Sequence, residues 1–444
     1  MSRAACEVRI RTGQNGTGEP VQKRVEQNLE VPTSAGADPR ASDSDRTTAI
    51  DQTVVPVDQA AVEAALLQRA EALAPQFAAR ALEFEGLRRL PADVAGLMGD
   101  AGFFRMFVEA RHGGLECSPS AAARVFESLA QGDPACGWVA FIGATTATLL
   151  ARMGDAAVRT ILQTPSTLLT GVVAPNGRAE VVDDGFIVNG RWAWGSGSEN
   201  AAWIAGGCLL TRNAEVLTNS AGAPRAHMLF FPAADVRSLD NWHVSGLRGT
   251  GSTDYEVRDL FVPTDFASGY SVRAMPERPL FQFPQNTLLA SGIGAVALGA
   301  ARAAIDDCIG IATEKKRAGS SNTIGTRQVT HLEVATAEAR LRAARLYYYN
   351  SFDDAWATAL SGADVSLAQR REMRVATTFA VQSAVQVVDA MYTLAGGSVV
   401  YQGNRLQRLF RDVHVATQHI MVGTHTLETA GRLYLGMETN TANF

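Results

Sequence analysis

One stretch of strand-period sequence, roughly 167–275, stands between two longer blocks of helix-period sequence, and this order constrains the fold more than any single motif. In the central stretch "LLTGVVAP", "AEVVDDGFIVNGRWAW", "AAWIAGGCLLT", "AHMLFFPAADV" and "DYEVRDLFVP" alternate or run apolar between turn residues. Asp184-Gly185 is a hairpin signal. Several short strands at this spacing imply an antiparallel sandwich or barrel. Before them, from Val57, apolar residues recur every three or four positions in Ala/Leu/Glu-rich sequence. After Pro284 four more helical patterns follow, near 285–316, 326–361, 366–395 and 402–436, with the short connections of a bundle. The expected fold is mainly α with a central β-domain: helical domain 57–166, middle β-barrel 167–278, C-terminal four-helix bundle 279–444. Residues 1–56 are polar and poor in large apolar side chains, and read as a disordered extension.

Composition narrows the function classes. The 444 residues are 46% hydrophobic and 19% charged, with net charge −5, so a large core is available and no basic patch for nucleic acid is visible. Five scattered cysteines without CxxC spacing suggest a reduced, cytoplasmic protein with no structural metal. No apolar leader opens the sequence, and charges or polar residues interrupt every candidate membrane span.

The glycine-bearing run "SGIGAVALGAARAA" (291–304) superficially matches a dinucleotide loop. No strand precedes it, and close helix packing is the better reading. "GLRGTGSTDYEV" (246–257) lacks the lysine of a phosphate loop and runs into a strand. No histidine pair has zinc spacing and no serine sits in GxSxG. In the last helical pattern Arg405, Arg408, Asp412 and His419 are spaced to share one helix face, where Arg408 and Asp412 form an i,i+4 ion pair in the plain reading.

Three motifs in order resemble the acyl-CoA dehydrogenase superfamily: "GFIVNGRWAWGSGSENAAWI", "VSGLRGTGSTDYEVRDLFVP" and "LAGGSVVYQGNRLQRLFRDVHVATQH". The resemblance spans about 57–436 and implies a flavin cofactor. It also offers a choice between dehydrogenases, which take a Cα proton with a glutamate, and monooxygenases of the same fold. The "EGT" triplet that carries the base in many dehydrogenases is replaced here by Val422, Gly423 and Thr424. The stretch "QNTLLASGIGAVALGAARAA" of the first bundle helix holds no carboxylate either. "RDVHVATQH" resembles the monooxygenase branch, where the matching histidine lies near the flavin's reacting edge.

That branch implies the oxygenase component of a two-component system. It takes reduced FMN or FAD from a separate NAD(P)H:flavin reductase, reacts with O2 through a C4a-hydroperoxyflavin and hydroxylates a small aromatic or polyketide-like metabolite. An acyl-CoA dehydrogenase or oxidase with FAD, or an amine or sugar N-oxygenase, is the alternative. Ser196 and His419 are the catalytic candidates: a hydroxyl and an imidazole that steady the flavin N5–H and the bound oxygen in a dry pocket. Trp138 and Trp194 are candidate walls, as is Trp203, with ordinary core packing the competing reading for each. Gly197 and Ser198 complete the loop against the flavin ring. Lys316, Arg317 and Arg327 suit the phosphate end, against the plainer reading of a solvated loop. Gly396 and Gly397 resemble a glycine pair at a subunit junction. In this family the latter segments reach a flavin held mainly by a neighbouring subunit, in a homotetramer. His112 is the sole histidine of the N-terminal helical block, so a histidine base for the substrate is in doubt.

Overall fold

The computed structural model describes residues 58–270, 275–316, 319–441 and 444. The expected extension 1–56 and the candidate Arg317 lie outside the described residues. Five helices come first: α1 Gln59–Leu87, α2 Ala92–Asp100, α3 Pro119–Gly132, α4 Pro134–Ala147 and α5 Asp155–Ile161. Helix starts follow the local chemistry. Asp58 caps α1 and Ser118 caps α3, while Asp133 caps α4 by accepting the Ala135 N–H at 2.9 Å, with Pro134 in the first turn.

Eight strands then form one sheet among the described residues: β1 Leu169–Val182, β2 Gly185–Trp192, β3 Trp203–Arg212, β4 Glu215–Val216, β5 Ala226–Pro232, β6 Arg237–Ser238, β7 Tyr255–Pro263 and β8 Ala267–Ser268. Their order is β6-β7-β2-β1-β3-β5-β8, with β4 paired to β3. The sheet curls around a core of its own, and no ladder joins the edge strands β6 and β8 among the described residues. The expectation of a wholly antiparallel sheet is corrected: β1 runs parallel to β3, from Leu169↔Trp203 to Glu180↔Thr211, with an irregularity between Val172 and Gly177. Parallel neighbours need a crossover, and β2 with the loop after it provides one. The β1–β2 hairpin forms, but its left-handed position is Asp184 (φ 61°), while Gly185 already pairs with Val182.

Trp192 fixes the inside of the sheet. Its indole is fully buried, stacks on Tyr255 at 5.4 Å and donates to the Gly207 carbonyl at 2.8 Å. A Cβ on Gly206 would stand 2.5 Å from that indole, so the strand beneath must be bare there. The end of β2 is therefore anchored immediately before the loop that carries Ser196.

The remaining helices are α6 Pro279–Gln282, α7 Gln285–Glu314, α8 Gln328–Leu360, α9 Leu367–Ala395, α10 Arg405–Ala416 and α11 Thr424–Tyr434. Three of the four expected long helices form. The fourth is broken: α10 ends at Ala416, a turn spans Ile420–Val422, and α11 begins at Thr424. Side chains take over the helix's own pairing at the break. Thr417 Oγ1 donates to the His414 carbonyl, and His419 Nδ1 accepts the Met421 N–H.

Helix α9 packs on α7, α8, α10 and α11, while α3 and α4 pack on α7. The glycines of "SGIGAVALGAARAA" make that contact close. A Cβ at Gly292 would lie 2.2 Å from Phe141, and one at Gly299 2.3 Å from the Glu127 carbonyl. One hydrophobic core thus runs from the first helices into the bundle. Buried Glu127 on α3 adds a polar tie to α8, through Arg345 at 2.7 Å and Tyr349 at 2.6 Å. Contrary to the sequence expectation, Pro134–Arg152 and Gln285–Glu314 are apolar enough for a membrane span, but 83% and 89% of those windows are buried inside the protein.

Candidate active site

The loop between β2 and β3 is held by the turn between β6 and β7. Gly195 N–H donates to the Thr253 carbonyl at 3.0 Å and Gly197 N–H to the Thr250 carbonyl at 2.8 Å. Ser196 N–H is spent on Trp194, and Ser198 N–H on Gly195. The loop therefore presents side chains and its outer surface; these backbone donors are already used. The Ser196 carbonyl accepts from Thr170 Oγ1 on β1.

Hydroxyl directions follow from donor counting. The Trp138 indole N–H can only donate, and it reaches Ser196 Oγ at 3.0 Å. Thr250 Oγ1 gives its one proton to the Leu247 carbonyl at 2.7 Å. Ser252 therefore donates to Thr250 at 2.6 Å, and Ser196 donates to Ser252 at 2.7 Å. One lone pair on Ser196 Oγ is left to accept from a ligand. The order Trp138, Ser196, Ser252, Thr250, Leu247 links α4 to both loops of the sheet.

The helical side closes on the same place. Asp412 on α10 does not pair with Arg408, as the sequence spacing suggested; its Oδ1 accepts the Leu247 N–H at 2.6 Å. Arg408 turns instead to Asp133, 3.9 Å away. Asp133, Asp412, Leu247 and Arg408 line a cavity of about 10 Å³, the size of one water. Burial, and then the nearby Asp133 carboxyl, push Asp412 up to about 7.

His419 lies beyond the end of α10, off the helix face on which the sequence placed it. Its ring meets Trp138 edge-on at 6.0 Å. Nδ1 accepts the Met421 N–H at 3.2 Å, so in the neutral ring the proton is on Nε2. Burial, and then the Arg374 charge, push its pKa down to about 4. His419 is thus a neutral donor near pH 7, with no Nε2 partner among the described residues. Val422 is 4% exposed and offers no base.

Of the predicted residues, the structure brings together Trp138, Ser196 and His419, with Gly197 and Ser198 in the loop. Trp194 follows β2 at φ 64° and is 74% exposed, so it stands at the rim and does not wall a dry interior within this chain. Trp203 stacks on Phe266 at 5.1 Å, an ordinary packing pair. His112 sits with Asp155 and Glu109, at 3.5 and 3.9 Å. Arg327 is exposed at the start of α8, and Gly396 (φ 68°) and Gly397 follow the end of α9. Gly396 is 22 residues along from Arg374, the α9 residue whose charge acts on His419, so the two lie about 33 Å apart at 1.5 Å per residue. Within one chain the glycine pair is thus far from the His419 end. Sequence reading missed Thr250, Ser252 and Arg374; the first two lie in the second quoted motif, whose hydroxyls were a usable signal.

The fold and this site define a class. The family description "Acyl-CoA dehydrogenase, N-terminal domain" matches residues 61–163, and "Acyl-CoA dehydrogenase, C-terminal domain" matches 291–424. Within that class the relatives are oxygenases. Indole-3-acetate monooxygenase of Pseudomonas putida is 32% identical over 81% of this chain and 91% of its own length. The oxygenase component of the FADH(2)-dependent resorcinol hydroxylase of Rhizobium sp. is 31% identical over 84% and 94%. The crystal structure of 3-HSA hydroxylase from Rhodococcus sp. RHA1 superposes with a TM-score of 0.77 at 26% identity, covering 86% of this chain and 99% of that one. The chain belongs to the flavin-dependent monooxygenases of acyl-CoA dehydrogenase fold.

Proposed function

We propose that this chain is the oxygenase component of a two-component system, using reduced FMN or FAD from a separate NAD(P)H:flavin reductase to hydroxylate a small aromatic metabolite. The single observation that carries the reading is an acceptor, Ser196 Oγ, and a neutral donor, His419 Nε2, each set against Trp138, with buried Val422 where a dehydrogenase base would stand. These residues suit a reduced flavin: the free lone pair of Ser196 matches the flavin N5–H. When bound, that flavin supplies the electrons and activates O2.

The protein's own part is positional. Ser196 would accept from the N5–H of a bound flavin, because its own proton is committed to Ser252. His419, neutral, would offer its Nε2 proton to the oxygen that a bound flavin activates. Trp138, 6% exposed, keeps water from the Ser196 hydroxyl. Trp194, at the rim, is placed to cover a ring entering from outside. Gly197 and Ser198 shape the loop. Arg327, Gly396 and Gly397 then serve the flavin of a neighbouring copy. Exposed Leu332, Leu346 and Leu360 on α8, at 64%, 71% and 60%, give apolar surface for a homotetramer. The same reading places the protein in the cytoplasm, off the membrane.

The test supplies chemically reduced flavin to the purified protein in air, without reductase, beside a panel of phenols and indoles. Hydroxylated product by mass spectrometry, with less peroxide than flavin oxidised, is expected. Peroxide equal to flavin oxidised, with no product from any compound, sinks the reading.

A further inference from the structure

Arg374 acts on His419 and takes no part in the mechanism above. It is the eighth residue of α9, is 3% exposed, and has no carboxylate within salt-bridge distance among the described residues. Its neighbour Arg371 shows the contrast, pairing with Glu372 at 2.9 Å. Arg374 Nη1 reaches Met421 Sδ at 3.9 Å, a weak acceptor two residues past His419. The Phe444 ring covers a guanidinium face, 5.8 Å from Cζ. Nε, buried, has no hydrogen-bond partner among the described residues, and the guanidinium bond found among them is that of Nη1 to Met421. Nε and Nη2 share the edge that takes a carboxylate through two parallel N–H···O bonds.

An unpaired buried cation is costly, and a packed apolar side chain would serve structure better. Burial pushes Arg374 down to about 10, which leaves it charged at neutral pH. Met421, which Nη1 touches, gives its N–H to His419 Nδ1, so the guanidinium lies against the turn that carries His419. Arg374 lies on α9, on the helical side, while Ser196, on the sheet side, and His419 both contact Trp138. The flavin position assigned to Ser196 is on the sheet side, which leaves Arg374 for the substrate.

We propose that Arg374 binds a carboxylate on the aromatic substrate, so that the preferred substrates are aryl acids. This rests on the monooxygenase reading for the word aromatic, but its test needs neither flavin nor turnover. Indole-3-acetate and its uncharged amide are titrated calorimetrically into the flavin-free protein, the R374M variant and the R374K variant. The wild type is expected to hold the acid about 10- to 100-fold tighter than the amide, the range of a charge-assisted pair. R374M brings that ratio to about one, and R374K keeps part of it.

Equal affinity for acid and amide in the wild type overturns the proposal, as does a preference that survives R374M. So does failure of the acid to bind. Weaker reduced-flavin binding in R374M with the acid preference intact assigns the residue to the cofactor and also overturns it. Hydroxylation of neutral aromatics by the same preparation would leave the monooxygenase reading standing in each of those cases. Loss of helical circular dichroism in R374M transfers the decision to R374K, whose unchanged ratio would count against the assignment.

Discussion

Ser196 is useful because its proton is already committed. Trp138 donates to it and Ser252 receives from it, which leaves one acceptor lone pair and no freedom to turn. Ser196→Ala strands both partners, at a cost of about 1–3 kcal/mol. Peroxide per product is expected to rise in that variant; unchanged coupling would remove Ser196 from the site. His419 makes a second prediction. Its folded pKa, about 4, lies below the ~6.5 of a free imidazole. The unfolded chain therefore takes up the proton first as pH falls. Stability from this residue is whole above about 6.5, declines toward 4 and levels off below. Product per flavin should stay flat from pH 8 to about pH 5 and fall only near 4; a midpoint near 6.5 would show a solvated imidazole.

At the scale of elements, α10 works as a clamp on the loop that carries Ser252. Asp412 holds the Leu247 N–H, Arg411 reaches the Ser245 carbonyl, and Arg405 binds carbonyls at the end of α3 and Asp307 at 3.1 Å. Asp412→Asn keeps an acceptor for Leu247 while removing the ionisable group. The folded pKa of Asp412, about 7, lies above the ~3.9 of a free carboxyl. Its contribution is full below about 3.9 and is lost as pH rises through 7. Denaturant midpoints for Asp412→Asn should therefore fall less than wild type between pH 5 and 8. Parallel curves for the two proteins would mean Asp412 is ionised throughout.

For the whole molecule, the candidate cofactor residues fall at two ends of the bundle, so one chain does not gather them. Shared sites between copies make a distinct prediction. His419→Ala and Arg327→Glu should each turn over poorly alone, yet regain activity when mixed, dissociated and reassembled. Some sites would then take both intact residues. No recovery, with hybrid formation verified by native mass spectrometry, would place both residues in the same chain's site. Light scattering of the wild type tests the tetramer independently.

The sequence by itself determined the order of helices, sheet and helices, because hydrophobic period is local and needs no knowledge of what packs where. It also offered Ser196 and His419 as candidates, since both sit in motifs of recognisable composition, and Trp138 as a bulky aromatic beside them. Tertiary structure decided the rest. The break after Ala416 arises from side chains competing for backbone groups, which a helical period hides. Arg408 and Asp412 look like partners at i,i+4, yet each finds a better one across the fold, at Asp133 and at Leu247. The parallel β1–β3 pairing depends on where the loop returns. Arg374 reads as one more arginine in "RREMR"; only packing reveals that α9 buries it near His419 with its Nε unpaired among the described residues.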